Sequence, residues 1–288
     1  MIIEKILKPI WQEFIYGGHI MSLGAASIVY TASLLLNLKI TWDFLLIVYL
    51  GTDSVCLYNR YKEFQIDFLS NPERTKYIEK HIKKIPSLIF FFSLIILAIL
   101  ILNKNLLSLI FTVFLLLMGM FYSEFFKKIT QKIIGFKDFF VALTGSLLIL
   151  LLAIYYSIPI NLALFLFFVF VFFELFVNVN FFDIKDIETD KQEGLKTLAI
   201  VLGQNRLLQL LNIIAILAVL PLIIGVYLRV LPISSLMLFL TIPYTFFYFK
   251  QLENKNISPY FLYNVIVDGE FIFWLFFVLS GNFIFTKL

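Results

Sequence analysis

Two short acidic runs follow long apolar segments of this chain. Each contains three residues that can offer an oxygen ligand. In the first run these residues are four positions apart, and in the second they are three and then four positions apart. The residues are Asn59, Glu63 and Asp67 in the first run, and Asp183, Asp186 and Asp190 in the second. In a helix these spacings place each set on one face. Carboxylates on one face repel each other, so a compensating cation is expected.

Mg²⁺ is the natural candidate for that cation, because it prefers oxygen ligands and shares them with substrate phosphates. Two such faces that point at each other would hold a diphosphate between metal ions. The runs are therefore predicted to form a Mg²⁺ and diphosphate site, with solvated helix ends as the plainer alternative.

The composition indicates which solvent surrounds this site. Of the 288 residues, 61% are hydrophobic and 15% are charged, whereas soluble domains carry about 25% charged residues. A soluble core cannot absorb such an excess without large apolar patches on the surface. Membrane lipids are thus expected around the chain and no nucleic acid is expected as a partner. The single cysteine, Cys56, excludes an intrachain disulfide.

Apolar stretches of about 20 residues each span a bilayer as a helix. Nine such stretches are predicted, at residues 15–37, 42–60, 86–103, 105–123, 138–156, 159–180, 207–228, 231–249 and 264–285. The predicted fold class is an all-α integral membrane protein, a bundle of nine transmembrane helices in one domain over residues 1–288.

The distribution of Lys and Arg predicts the orientation of the bundle. With the N-terminus in the cytoplasm, 19 of the 23 basic residues fall in inside segments and 4 outside. Nine spans then place the C-terminus outside, in what we expect to be a prokaryotic cell membrane. The long inside loops 61–85, 124–137 and 181–206 are predicted to form a cap on the cytoplasmic side, where long loops are commonly functional.

The acidic runs resemble the two aspartate-rich motifs of UbiA-superfamily prenyltransferases. The first motif reads N-D-x-x-D-x-x-x-D followed by P-x-R, and here Asn59 begins it and Pro72-Glu73-Arg74 follows it. The second reads D-x-x-D-x-x-x-D-x-x-x-G-x-x-T-L, and here it runs from Asp183 through Gly194 to Thr197-Leu198. The nine predicted helices are also similar to the family pattern.

A third segment, Tyr122-Ser123 followed by Lys127 and Lys128, resembles the family's Y-S-x-x-x-K element. Three positions depart from the pattern, because Arg60 and Glu63 stand where the first motif has Asp, and Thr189 stands where the second has Gly. The resemblance therefore implies a branch of the family with a degenerate first motif.

The resemblance implies Mg²⁺-dependent transfer of an isoprenoid chain from a prenyl diphosphate to a lipophilic acceptor, such as an aromatic quinone precursor or a glycerol-phosphate lipid. The implied catalytic residues are Asp183, Asp186, Asp190 and Glu63. The implied metal ligands are Asn59, Glu63, Asp67, Asp183, Asp186 and Asp190. The implied contacts to the diphosphate and prenyl chain are Asn59, Arg60, Arg74, Lys128, Lys196 and Tyr122.

Two further polar residues, Glu174 and Asn178, lie inside the sixth predicted span. An ionisable group at that depth suggests function, so both are predicted on the acceptor side, with an interhelical hydrogen bond as the alternative. Two other activities remain open for the chain: a UbiA-type membrane terpene cyclase, and a membrane transporter or channel.

Overall fold

The computed structural model describes the backbone of residues 2–254 and 256–285, and the side chains of 9–68, 71–254 and 256–285 within it. Every regular element in these ranges is helical. The predicted position of the C-terminus falls on residues 286–288 and lies outside the described residues.

The first half of the chain forms nine α-helices. They are α1 (Ile2–Tyr16), α2 (His19–Leu35), α3 (Trp42–Lys62), α4 (Phe64–Ser70), α5 (Pro72–His81), α6 (Ile85–Asn103), α7 (Leu106–Met120), α8 (Lys127–Ile129) and α9 (Phe136–Tyr155). A π-helical turn, Tyr122–Phe126, joins α7 to α8, and a 3₁₀ turn, Ile82–Lys84, joins α5 to α6.

The second half begins with the longest helix of the structure, which carries the second acidic run at its end. The helices are α10 (Leu162–Gln192), α11 (Leu198–Leu202), α12 (Gln204–Ala218), α13 (Leu220–Tyr227), α14 (Thr241–Gln251), α15 (Pro259–Phe261) and α16 (Asp268–Phe285). A 3₁₀ segment, Ile233–Leu240, precedes α14, and a π-helical segment, Leu262–Val267, precedes α16.

The count of nine predicted spans is not confirmed by the length and composition of the helices. Among the described residues six helical segments are long and apolar enough to cross a membrane, or up to eight if each of two bent pairs counts as one span. The bends lie between α1 and α2, at 58°, and after α7, at 46°. The 21-residue helix α3 is not among the eight, because Asp53, Asn59 and Arg60 interrupt its apolar sequence. The chain is thus a multi-pass helical membrane protein.

Helix α10 lies at the centre of the bundle and packs against α9, α12 and α13. Its side chains Phe167, Phe170 and Val171 are fully buried, and the Phe170 ring lies 4.9 Å from that of Trp274 on α16. In contrast, Leu102 on α6 is 79% exposed, as expected for a surface that faces lipid. Close packing of this kind holds helices together in a membrane, where the surrounding lipid is as apolar as the core.

The loops at one end of the bundle are tied to each other through their backbones. Helix α10 ends at Gln192, and Gly194 adopts a left-handed φ of +71° that turns the chain back. The amide of Lys196 then donates to the carbonyl of Thr130 at 3.0 Å, and the amide of Gly135 donates to the carbonyl of Lys196 at 2.9 Å. These bonds fix the end of α10 beside the start of α9, which brings basic residues of one loop to carboxylates of the other.

Candidate active site

A polar cavity of about 250 Å³ lies where α3 and α10 end. Both acidic runs contribute to its wall: Asn59, Glu63 and Asp67 on one side, and Asp183, Asp186 and Asp190 on the other. Glu193 and Asp268 extend the acidic lining. The structure therefore brings together all six residues that the sequence predicted as metal ligands. We call this space the polar cavity.

Lysine side chains lie between the carboxylates of the second acidic run. The Lys137 ammonium is 2.7 Å from Asp183 Oδ1 and 2.9 Å from Asp190 Oδ2. Both aspartates are almost completely buried, at 1% and 2% exposure. Lys185 lies 3.1 Å from Asp186 Oδ1 and also donates to Asn71 Oδ1 at 3.3 Å. A buried carboxylate is stable only when paired in this way.

The first acidic run is compensated in the same manner. The Lys127 ammonium joins Glu63 Oε1 to Glu193 Oε2, at 2.8 Å from each. The Arg74 guanidinium donates to Asp67 Oδ2 at 2.8 Å. Lys127 thus links the end of α3 to the end of α10.

Arg60 occupies the position at which the family motif has Asp. The residue is 9% exposed and lines the polar cavity, and its Nη1 donates to the Tyr16 carbonyl at 2.6 Å. The neighbouring Asn59 accepts a hydrogen bond from Ser123 Oγ at 2.9 Å through its Oδ1. Arg60 thus adds a fixed cation to the wall and anchors the bend that follows α1.

The charge balance of the polar cavity favours a divalent cation. Seven carboxylates line it against five basic side chains, all within the described part of the chain. Asp183 Oδ2 is buried without a hydrogen-bond partner, an arrangement that is costly unless a donor or a cation satisfies it. Among the described residues no three His, Cys, Asp or Glu side chains form a ready-made metal cluster, because lysine ammonium groups lie between the carboxylates. The donor set therefore fits Mg²⁺ in chemistry, and a bound ion would have to displace or join these lysines.

A second cavity, of about 350 Å³, continues from the polar one into the bundle. Its lining is mostly apolar and includes Ile28, Ile47, Val48, Leu148 and Leu151. We call it the apolar cavity. Both cavities share eight lining residues, which we call the neck: Met21, Cys56, Asn59, Tyr122, Val141, Asn178, Val179 and Asp268. A molecule with a charged head and a hydrocarbon tail matches this pair of spaces.

Comparison with known proteins identifies the family. The sequence model of the UbiA prenyltransferase family matches residues 20–279, which is most of the chain. The chain belongs to the UbiA prenyltransferase family. No curated protein gave a significant match to this sequence.

Solved structures agree with the family at the level of the fold. A UbiA homolog from Aeropyrum pernix K1 matches with a TM-score of 0.67 at 16% identity, over 93% of this chain and 98% of the other. A UbiA homolog from Archaeoglobus fulgidus, bound to GPP and Mg²⁺, matches with a TM-score of 0.62 at 17% identity, over 93% of this chain and 99% of the other. A digeranylgeranylglyceryl phosphate synthase matches with a TM-score of 0.58 at 15% identity, over 93% and 96%. The chain thus has the all-helical UbiA-type fold.

In this UbiA-family chain two of the predicted diphosphate contacts lie away from the cavities. The side chains of Lys128 and Lys196 are exposed, and neither residue lines either space. Lys196 contributes through its backbone, which joins the loops described above. Tyr122, Arg60 and Arg74 do line the polar cavity, as the sequence analysis predicted.

The predicted acceptor-side pair is separated. Asn178 lies in the neck and donates to the Val267 carbonyl at 3.2 Å. Glu174 is 1% exposed, lines neither cavity, and accepts a hydrogen bond from Thr241 Oγ1 at 2.9 Å. Glu174 therefore bonds to α14, which is the interhelical hydrogen bond that the sequence analysis gave as the alternative.

Sequence reasoning missed three basic residues of the polar cavity: Lys127, Lys137 and Lys185. The sequence signal for Lys127 is the Y-S-x-x-x-K segment, which ends at this lysine. In the structure a π-helical turn joins Tyr122 to Lys127. Lys137 and Lys185 had no comparable signal. Lys137 reaches its partners only because α9 packs against α10, and the Asn71 partner of Lys185 lies between α4 and α5.

Proposed function

We propose that the chain catalyses Mg²⁺-dependent transfer of an isoprenoid chain from a prenyl diphosphate to a lipophilic acceptor. The C1–O bond of the donor breaks with both electrons going to the diphosphate. A nucleophilic carbon or oxygen of the acceptor forms the new bond to C1 and releases a proton. An aromatic quinone precursor is the acceptor class that we favour, with a glycerol-phosphate lipid as the second.

One observation carries this proposal: a polar cavity with both acidic runs in its wall opens through a neck into an apolar cavity. A diphosphate fits the first space and its hydrocarbon chain fits the second. The family membership of the chain supports the same reaction, and so does the binding of GPP and Mg²⁺ by the similar Archaeoglobus fulgidus protein.

We assign the holding of Mg²⁺ to the oxygen ligands of the two runs, Asn59, Glu63, Asp67, Asp183, Asp186 and Asp190. When bound, Mg²⁺ would neutralise the negative charge that builds on the diphosphate as it leaves. Arg60, Arg74, Lys127 and Lys137 offset the remaining charge. Ion pairs fix the last three, and a hydrogen bond to the Tyr16 carbonyl fixes Arg60. Basic groups that are already oriented lose little freedom when the diphosphate binds.

The apolar cavity protects the allylic cation that remains after the diphosphate has left. Water would capture such a cation, and a lining of Ile, Leu and Val side chains excludes it. Tyr122 lies in the neck and lines both spaces. An aromatic face stabilises a nearby cation, so we assign Tyr122 to the region of C1.

The location of the site in the cell is part of the proposal. We place the polar cavity and the N-terminus on the cytoplasmic side and the C-terminus outside, in a prokaryotic cell membrane, with residues 1–288 as one domain. A transporter is disfavoured, because the carboxylates lie at one end of the bundle and transporter sites usually lie near the midplane.

The experiment that tests the function uses the full chain in lipid nanodiscs with Mg²⁺, a radiolabelled prenyl diphosphate and a panel of acceptors. We expect acceptor-dependent release of diphosphate, and we expect Asp186→Asn to lower it roughly 100-fold or more. Glu188→Gln is the matched control, because Glu188 lies in the same run but its side chain is 82% exposed.

Two outcomes would contradict this proposal. A hydrocarbon or terpene alcohol formed from the donor alone would indicate a cyclase. Ion or lipid flux in liposomes that Asp186→Asn abolishes, without any turnover of the donor, would indicate a transporter.

A further inference from the structure

One carboxylate of the polar cavity differs from the others in its contacts. Seven carboxylates line this cavity, and six of them form ion pairs with Lys or Arg. The seventh, Asp268, forms neither an ion pair nor a hydrogen bond through its side chain in the part of the chain that the structure describes. Its oxygens are therefore available to a bound molecule.

Asp268 also lies in the neck, because it lines both the polar and the apolar cavity. None of the six ion-paired carboxylates lines the apolar cavity. A prenyl diphosphate changes from charged to apolar at its C1–O bond, so this bond lies in the neck when head and tail occupy their own cavities. The acceptor has to approach C1 there. Asp268 is thus the acidic residue that lies beside the reacting atoms.

The other polar side chains of the neck are less suited to accept a proton. Asn59 and Asn178 carry amides, which are not basic. The Cys56 thiol donates to Met21 Sδ at 3.5 Å, and a thiol and the Tyr122 phenol each hold their own proton at neutral pH. A carboxylate is the ionised base that the neck contains.

The backbone of Asp268 is held from two sides. The π-helical segment Leu262–Val267 ends one residue before it, and the Val267 carbonyl accepts a hydrogen bond from Asn178 Nδ2 at 3.2 Å. On the other side α16 packs closely on α2, where a Cβ added at Gly24 would lie 3.5 Å from the Asp268 carbonyl oxygen. Turns of π-helix occur frequently at functional sites. These contacts fix the residue and leave its carboxylate open.

Positive charge near Asp268 makes an ionised carboxylate tolerable in the neck. Arg60, Arg74 and Lys185 are the basic groups whose charges act on it. Each of the three is bonded elsewhere, to the Tyr16 carbonyl or to an aspartate of the acidic runs. A buried carboxylate is costly without such compensation. Asp268 thus keeps a favourable environment for its charge without losing its oxygens to a partner.

We propose that Asp268 is the catalytic base of the transfer and that the acceptor carries a hydroxyl group that reaches the neck. The hydroxyl donates a hydrogen bond to Asp268, and its proton passes to the carboxylate as the acceptor forms its bond to C1. The C1–O bond breaks with both electrons going to the diphosphate. This proposal rests on the proposed function and deepens it, because it assigns the proton that the acceptor releases.

The same step serves both acceptor classes. In an alcohol the oxygen that loses the proton forms the bond to C1. In a phenol a ring carbon next to the hydroxyl forms it, which gives a neutral dienone. The dienone returns to a phenol when the ring proton moves to the oxygen. In both cases one proton remains on Asp268.

The test compares Asp268→Asn with the unaltered chain in nanodiscs, with Mg²⁺, radiolabelled geranyl diphosphate and a panel of phenols and glycerol-phosphate lipids. Transfer should fall roughly 100-fold or more, because the amide does not accept a proton. Affinity for geranyl diphosphate, measured by calorimetry, should not fall, since the variant removes no Mg²⁺ ligand and no basic group. Glu188→Gln is the matched control and should leave both quantities unchanged.

Asp268→Ala tests whether a carboxylate itself is needed. This variant leaves space in the neck for a small carboxylate, so added formate should raise its rate of transfer in proportion to the formate concentration. Chloride at the same ionic strength should not. Formate should also have no effect on Asp268→Asn, in which the amide fills the space.

The outcomes separate the two proposals. If the unaltered chain transfers the prenyl group to no acceptor of the panel, the proposed function fails and the assignment of Asp268 fails with it. If Asp268→Asn transfers as fast as the unaltered chain, or if formate does not restore Asp268→Ala, only the assignment of Asp268 is overturned. Weaker binding of geranyl diphosphate by Asp268→Asn would also overturn it, because Asp268 would then belong to the Mg²⁺ and diphosphate site.

Discussion

At the scale of single residues, Lys127 and Lys128 are neighbours in sequence with opposite surroundings. The Lys127 ammonium joins Glu63 to Glu193 at the wall of the polar cavity, whereas the Lys128 side chain is exposed. The motif Y-S-x-x-x-K ends at Lys127, because three residues separate this lysine from Ser123. Lys128, the residue predicted to contact the diphosphate, lies one position beyond the motif.

This difference gives a prediction for two equivalent substitutions. Lys127→Met should lower the melting temperature by several degrees, because two carboxylates lose their shared partner at a cost of about 2 kcal/mol, and it should raise KM for the prenyl diphosphate. Lys128→Met should change neither the melting temperature nor KM. Thermal denaturation and steady-state kinetics in nanodiscs check both, and an equal effect of the two substitutions would contradict the assignment of Lys127.

At the scale of elements, α5 is held against the first helix by two hydroxyl groups. Tyr16 donates to Glu73 Oε2 at 3.0 Å, and the Tyr77 hydroxyl donates to Glu13 Oε2. Helix α5 also carries Arg74, which pairs with Asp67 in the polar cavity. The end of α1 therefore positions a basic residue of the site that it does not itself contact.

We predict that Tyr16→Phe loosens α5 without removing any group of the site. KM for the prenyl diphosphate should rise roughly fivefold, which corresponds to the loss of about 1 kcal/mol, and kcat should change little. Hydrogen exchange of residues 72–81 should become faster. Tyr227→Phe is the control, because Tyr227 is 84% exposed; unchanged exchange in Tyr16→Phe would show that the hydrogen bond does not hold α5.

At the scale of the whole molecule, the polar cavity joins parts of the chain that are distant in sequence, from the end of α3 to the start of α16. The ends of α3 and α10 supply carboxylates, and the segments around α5 and α8 supply basic groups. Because carboxylates outnumber basic groups there, a divalent cation should hold these parts together as well as assist the reaction.

Mg²⁺ should therefore stabilise the chain against unfolding even without a donor. At a Mg²⁺ concentration 100 times its dissociation constant, the free energy of unfolding rises by about 2.7 kcal/mol. The rise is visible as a higher melting temperature, which a chelator reverses. Asp183→Asn should abolish most of this Mg²⁺-dependent rise in melting temperature, and Glu188→Gln should retain it. A shift of equal size in both variants would place the cation elsewhere.

Much of this molecule was predictable from its sequence. The composition requires lipid as solvent, and both acidic runs line one cavity. The spacing correctly places Asp183, Asp186 and Asp190 on one helix, α10, whereas the first run is divided by the break at Glu63 between α3 and α4. The count of nine spans is not confirmed, because α3 carries polar residues that line the site and is less apolar than the other long helices. Glu174 and Asn178 share a face of α10, yet Glu174 bonds to α14 and Asn178 lies in the neck.

The sequence by itself determined the helical membrane fold, the two sets of oxygen ligands and the family resemblance, because each depends on residue types at short spacing. Only the tertiary structure decided which lysines pair with the carboxylates, and that a polar and an apolar cavity meet at one neck. These features depend on contacts between residues far apart in the chain, and helical periodicity carries no information about which helices meet.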